Sequence, residues 1–250
     1  MAQATTPEGV SPEARVDPLP IPATPPGMGL PDLTKRETFS SAIQIIILLT
    51  VLSLAPAIMI MMTSFTRLVI VLSLLRQALG TQNLPPSQVM IGLAMFMTFL
   101  IMGPTLTKIN DTALQPYLNA SIEQPEALSR AQVPIREFMQ NQIIAAHNEA
   151  DVDLFTEFAG KPPAQNWEDV STVTLVPAFM ISELKTAFLL GFKVYLPFLI
   201  IDMVISSVLI SMGMMMLPPV LISLPFKLLL FVLVDGWHLI TGSLMGSFSV

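Results

Sequence analysis

Three observations predict an all-α, membrane-associated fold built of helical hairpins. First, the 250-residue chain is 52% hydrophobic and only 12% charged, with a mean hydropathy of +0.67. A soluble domain carries about 25% charged residues. Second, the apolar text falls into runs near the length of a bilayer-crossing helix, about 20 residues. Third, those runs contain what a simple span avoids. Charges stand at Glu183, Lys185, Lys193, Asp202, Lys227 and Asp235, and prolines at Pro197, Pro218, Pro219 and Pro225. A charge at bilayer depth is costly and turns toward protein or water. Irregular backbone is tolerated there only where protein or a cavity surrounds it. These helices are therefore expected to pack on partner helices rather than face lipid.

Four segments follow in order. Residues 1–40 hold Pro18, Pro20, Pro22, Pro25 and Pro26 and little apolar periodicity. Such text favours extended, unpaired backbone, and disorder is expected. Residues 41–108 are expected to form amino-terminal apolar hairpins. Ala42–Met62 is an uncharged run that Pro56 should kink or break. Phe65–Leu79 is amphipathic, Asn83–Ser87 is a turn with Ser87 as helix N-cap, and Val89–Leu106 is a second apolar run. In that run Gly92 would let helices approach closely. Residues 109–172 read as a small acidic helical domain, with helices over Gln132–Ala150 and Asp151–Phe158, ended by Lys161-Pro162-Pro163. Residues 173–250 read as broken hairpins, with runs Val176–Met203, Val204–Met216 and Val220–Phe248. Hydropathy alone suggests about four spans with both ends outside.

Charge placement adds a topology. Residues 109–172 carry ten acids and three bases, while Arg67 and Arg76 lie just after the first apolar run. The positive-inside rule would put the 63–87 region in the cytoplasm. The amino terminus and the acidic block would then lie outside. The chain has no cysteine, which removes disulfides and thiolate metal sites. The net charge is −6 without a basic cluster, so nucleic acid is not an expected partner. No H-E-x-x-H, G-x-S-x-G or P-loop occurs, and neither an enzyme, a metal nor a cofactor is expected. His147 and His238 have no metal-ligand company.

The candidate residues concentrate near the carboxy terminus. Gly213-Met214-Met215-Met216-Leu217-Pro218-Pro219 lies between two apolar runs. Methionine is flexible and polarisable, so it seals around irregular shapes. Repeated around a ring, Met214, Met215 and Met216 would make a deformable constriction that blocks ions by dewetting, with Gly213, Pro218 and Pro219 as hinge. The plainer reading is lipid-facing or core filler in a chain with 17 Met. Glu183 and Lys185 lie two apart and cannot pair on one helix. Lys227 is the natural distant partner for Glu183, within or between subunits. Asp202 either pairs with Lys193 or caps a helix break. Arg67 and Arg76, nine apart, face nearly opposite sides of a helix, one toward lipid headgroups and the other toward protein. Trp237 and His238 suit a boundary between apolar and wet regions.

Three motifs carry a resemblance: Pro177-Ala178-Phe179-Met180-Ile181-Ser182-Glu183-Leu184-Lys185-Thr186-Ala187-Phe188; Leu224-Pro225-Phe226-Lys227, running on to Val234-Asp235-Gly236-Trp237; and Met61-Met62-Thr63-Ser64-Phe65-Thr66-Arg67, running on to Leu75-Arg76-Gln77-Ala78-Leu79-Gly80. Together they resemble the FliP family, export-gate components of the flagellar type III secretion system, over roughly Ile43–Phe248. The resemblance implies a pore-forming subunit that passes unfolded flagellar substrates across the inner (cell) membrane at the flagellar basal body. It implies that the Met loop lines the closed pore and that the acidic middle is periplasmic. Implied partners are further FliP copies in a pentamer, FliQ, FliR, FlhB, FlhA, FliO and membrane lipid. FliP proteins carry a cleaved signal peptide. This sequence has no apolar h-region near Met1, although Ala2-Gln3-Ala4 resembles a cleavage site. A start upstream, a near-mature form and a chance match all remain open. Two rival readings are the equivalent subunit of a virulence-type (injectisome) system and a small secondary transporter. The transporter predicts inverted repeats, and residues 42–107 and 176–248 show no convincing self-similarity.

Overall fold

The computed structural model describes residues 36–249, apart from 82–83, 163, 165 and 215. The Pro-rich front up to residue 35 and Ala2-Gln3-Ala4 lie outside the described residues. Every regular element among the described residues is helical: α1 (Arg36–Met62), α2 (Phe65–Leu79), α3 (Ser87–Ile109), a π-helical turn (Asn110–Leu114), α4 (Gln115–Leu118), α5 (Gln124–Ala145), α6 (Ala150–Phe158), α7 (Thr172–Ser211), α8 (Pro219–Leu233) and α9 (Gly236–Met245). The chain divides into two compact units, residues 1–52 and 53–250, so the division falls within α1. The second unit holds the end of α1 and all of α2 to α9.

Within that unit α2 is the central element. Leu68, Val71, Leu72, Leu75 and Ala78 are buried along it, spaced three and four apart as one helical face requires. Its largest interface is with α7, whose buried Leu175, Ala178, Phe179 and Ala187 join the same core, and it also packs on α3, which adds Met90, Ala94, Met97 and Ile101 to that core. α5 and α6 lie against α7. Phe138 of α5 meets Phe179 edge-on at 6.1 Å between ring centres. Arg136 ties α5 to the start of α7, donating to Thr172 Oγ1 at 2.6 Å and to the Val170 carbonyl at 2.6 Å.

Pro218-Pro219 stands at the break between α7 and α8, but other prolines lie inside helices. α1 runs through Pro56 and α7 through Pro177 and Pro197. α8 runs through Pro225. The expected breaks at Pro197 and Pro225, and the division of α7 at Val204, are therefore corrected, and of the kink or break expected at Pro56 the break does not occur. An interior proline costs a helix about 3 kcal/mol, but packing on either side outweighs it, as where Phe198 follows Pro197 and packs on Phe231 at 6.4 Å. The chain turns instead by 81° between Pro56–Met62 and α2, and by 66° between α8 and α9. At the first bend Thr63 Oγ1 donates to the Met59 carbonyl at 2.5 Å and Thr66 Oγ1 to the Ile60 carbonyl at 2.6 Å. Side-chain hydroxyls thus satisfy the carbonyls that α1 leaves unpaired. At the second bend Asp235 is left-handed, with φ +49°, a conformation that Asp tolerates better than most residues.

Two more expectations change. Ser87 is the first residue of α3 rather than its cap, with Pro86 at the cap position. Its hydroxyl instead accepts from Arg76 Nη1 at 2.8 Å. The middle helix runs from Gln124 to Ala145, and the turn through His147 (φ +54°) separates it from α6. Nothing lies within 4 Å of a Cβ built on Gly92. The close approaches are at Gly191, against Leu74, and at Gly236, against Phe231. Phe231 is itself edge-on to Trp237 at 5.4 Å. Gly236→Ala is therefore expected to force that ring out of place and to cost about 1–3 kcal/mol, read as a lower unfolding temperature of the purified protein.

Helices Ser87–Leu118 and α7 are each long and apolar enough to cross a membrane. The count reaches four only if each bent pair is one span. With 40 residues, α7 is about 60 Å long, twice the hydrocarbon thickness of about 30 Å.

Candidate functional site

The Met loop joins the antiparallel helices α7 and α8. α7 ends in a Schellman motif: Gly213 N–H donates to the Ile210 carbonyl and Met214 N–H to the Leu209 carbonyl, both at 3.0 Å. This turn needs a left-handed residue, supplied by Gly213 at φ +74°. Pro218 caps α8, and Pro219 is its first residue, where a missing N–H costs nothing. The described residues of the loop between these stops, Met214, Met216 and Leu217, are apolar. Met214 is 43% exposed and Met216 is 99% exposed. Met215 lies outside the described residues. A methionine standing wholly free at the tip of an apolar hairpin marks an interaction surface when its neighbours are apolar too. Met212 and Leu217 are both exposed.

Above the loop an ion pair locks the hairpin. Lys227 of α8 is buried and donates to Asp202 Oδ2 of α7 at 2.6 Å and to the Ala78 carbonyl of α2 at 3.1 Å. Ser223 Oγ donates to the other oxygen of Asp202 at 2.6 Å. One ammonium thus joins α2, α7 and α8. It reaches the last turn of α2, where a cation meets the negative end of the helix dipole.

A second anchor lies at the other end of α2. Arg67 and Glu183 are both fully buried and form a fork, Nε to Oε2 at 2.8 Å and Nη2 to Oε1 at 2.5 Å. Arginine presents two parallel N–H groups to a carboxylate, the geometry that best offsets desolvation. The rest of the guanidinium holds the end of the chain. Nη1 donates to the Ser247 carbonyl at 2.6 Å, and the Phe248 ring lies 4.0 Å away. Gln142 grips the next residue, its Nε2 donating to the Ser249 carbonyl at 2.7 Å while its Oε1 accepts from Ser249 N–H at 3.3 Å. A third pair joins Lys185 to Asp151 of α6 at 2.5 Å and is half open to solvent on the lysine side.

The expected pairing of Glu183 with Lys227 is therefore corrected: Glu183 takes Arg67 and Lys227 takes Asp202. Glu183 and Asp202 stand nineteen residues apart on one helix, about 28 Å, so one lysine cannot serve both. Asp202 does not pair with Lys193 either. Nine residues put the two on opposite sides of α7. Arg67, expected to face either protein or lipid, faces protein. Sequence reasoning missed Gln142 and Ser247–Ser249, because a backbone carbonyl acceptor leaves no mark in the residue types. Among the described residues no His, Asp or Glu group is arranged to hold a metal.

The sequence has counterparts among known proteins. The FliP family model matches residues 48–244. The flagellar biosynthetic protein FliP of Bacillus subtilis (strain 168) is 55% identical over 212 residues, 85% of this chain and 94% of the relative. That of Pectobacterium carotovorum subsp. carotovorum is 52% identical over 212 residues, 85% of this chain and 81% of the relative. That of Cereibacter sphaeroides is 48% identical over 223 residues, 89% and 73% of the two chains.

Proposed function

Because this chain belongs to the FliP family, we propose that it is a pore-forming structural subunit of the flagellar type III protein export gate, passing unfolded flagellar proteins across the inner membrane. The observation that carries this reading is the exposed Met loop at the tip of the α7–α8 hairpin, with Met216 99% exposed. A soft apolar side chain that the chain itself does not cover suits a constriction closed by several copies together. Gly213, Pro218 and Pro219 bound the loop as hinges, so it yields to a passing polypeptide without unpacking α7 or α8. The two anchored ion pairs, Arg67–Glu183 and Lys227–Asp202, hold the hairpin to α2 while the loop moves. The long apolar α3 and α7 fit a cell-membrane location. The proposed assembly comprises five copies with FliQ and FliR, FlhA and FlhB on the cytoplasmic side, and FliO as assembly helper. The acidic α5–α6 region would face the periplasm. The Bacillus, Pectobacterium and Cereibacter relatives are named flagellar biosynthetic proteins, which favours a flagellar over a virulence-type system.

The test replaces Met214, Met215 and Met216 together with alanine. The assembled complex is expected at unchanged yield, with severalfold higher ion conductance when secretion is idle. A variant that assembles fully and stays ion-tight would return these residues to filler.

A further inference from the structure

The methionines fall into distinct surroundings. Met90, Met97, Met102 and Met139 are buried in the core. Met95, Met203 and Met245 are exposed, but they belong to α3, α7 and α9, apolar helices expected to meet lipid or partner helices. Met214 and Met216 stand on the loop and are exposed, Met216 almost completely. In the pore-forming reading these two line the passage itself, where water and small solutes reach them. The chain has no cysteine, so methionine is its only source of sulfur.

Leucine would fill an apolar constriction as methionine does. What methionine adds is chemistry at sulfur. A two-electron oxidant such as a peroxide converts the thioether to a sulfoxide. A sulfur lone pair attacks one peroxide oxygen, an S–O bond forms and the O–O bond breaks. The sulfur loses two electrons and the peroxide gains them. Its second oxygen leaves as water, taking the proton of the first. The product is polar and chiral where the thioether was apolar. Closure by dewetting depends on an apolar lining, so sulfoxides at the loop would wet the constriction and let ions through.

The loop accepts this change without unfolding. The turn at Gly213 closes α7 through backbone hydrogen bonds, and Pro218-Pro219 begins α8. Neither helix end depends on a methionine side chain. Oxidation of buried Met139 would instead place an unpaired polar group in the core, at a cost in stability.

We propose that Met214 and Met216 are sites of reversible oxidation by peroxide, and that their sulfoxides turn the closed constriction ion-conducting. This rests on the pore-forming reading of the Met loop. Reversal needs a thiol reductant: two thiols become a disulfide as each sulfoxide returns to thioether and releases water. The two sulfoxide epimers need one reductase each.

The assembled complex, reconstituted in vesicles, is treated with hydrogen peroxide, and its peptides are mapped by mass spectrometry. Met214 and Met216 are expected to gain oxygen severalfold faster than the buried Met97 and Met139. Equal rates overturn the site. Idle ion conductance is read on the same samples, each complex against itself before peroxide. It should rise severalfold as the loop oxidises and fall back after treatment with both methionine sulfoxide reductases and a thiol. A leak that reduction does not close overturns reversibility. A complex carrying Met214→Leu, Met215→Leu and Met216→Leu together should show no rise with peroxide, although its other methionines remain. A rise as large as in the parent overturns the assignment to the loop, and full conversion of Met214 and Met216 without a rise overturns the switch. The triple alanine variant separates this failure from that of the pore-forming reading. If it leaks and the oxidised parent does not, the constriction stands and only the switch falls. If neither leaks, the constriction falls with it.

Discussion

Glu183→Ala is expected to abolish accumulation of the folded protein. The carboxylate is fully buried and holds both the Nε and Nη2 sides of an equally buried Arg67. Removing it strands a guanidinium in an apolar interior, a loss of about 3–5 kcal/mol. That is a large part of a stability of about 5–15 kcal/mol. The Ser247 carbonyl and the Phe248 ring keep some hold on Arg67, but neither is a counter-charge. Arg67→Ala should be as severe, since it also releases the chain end. Arg67→Met with Glu183→Leu removes both charges while filling the space. It should be clearly more stable than either single change, because the main cost is the unpaired partner and not the missing attraction. Protease resistance and thermal unfolding in detergent measure this. Single variants as stable as the parent, or strictly additive losses, would show that the pair is not coupled as its geometry implies.

The helical class and most of the apolar runs were legible in the sequence, because periodicity and composition are local properties. The two sharp bends were not. Pro56, Pro197 and Pro225 mark positions where an isolated helix would suffer, yet each lies inside a helix. The actual bends lie at Thr63-Ser64, where hydroxyls of Thr63 and Thr66 complete the end of α1, and at Asp235, which adopts φ +49°. Which backbone group finds a side-chain partner depends on neighbours that only folding brings together.

The site shows the same division. Gly213 and the Pro218-Pro219 pair announced the loop between α7 and α8, since both residue types act through their own backbone. Glu183, Lys227 and Asp202 stood out as charges in apolar text, but sign alone does not choose partners. Helix length does. The rise of α7 separates Glu183 from Asp202 by about 28 Å, so the segment carries two anchors where the sequence suggested one. Gln142 and Ser247–Ser249 were invisible for another reason. Ser247 and Ser249 are held mainly through main-chain atoms, which every residue possesses.

Lys227→Ala is expected to loosen the α7–α8 hairpin locally while the rest of the chain stays folded. The ammonium is 3% exposed and is shared by Asp202 and the Ala78 carbonyl. Its removal strands Asp202, whose side chain is 25% exposed and still accepts from Ser223. Water therefore reaches this carboxylate, and the loss should fall at or below the lower end of the ~3–5 kcal/mol range for a broken buried pair. That is less than for Glu183→Ala, and it is felt elsewhere. The Arg67–Glu183 anchor, α5 and α6 do not touch this pair. Backbone hydrogen exchange should accelerate in α8 and around Ala78–Gly80 but not in α5. Asp202→Ala should be milder in the same region, because Lys227 keeps one acceptor. The two changes together should cost less than their sum. Under the proposed pore-forming role, the functional readout is ion leakage. A hairpin freed from α2 cannot hold the Met loop at a set height, so complexes that form should leak ions, as is expected of the triple alanine variant, with lower yield besides. If α8 exchanges no faster in Lys227→Ala and idle conductance is unchanged, the height of the loop is set by neighbouring copies, and the ammonium does no more than neutralise Asp202.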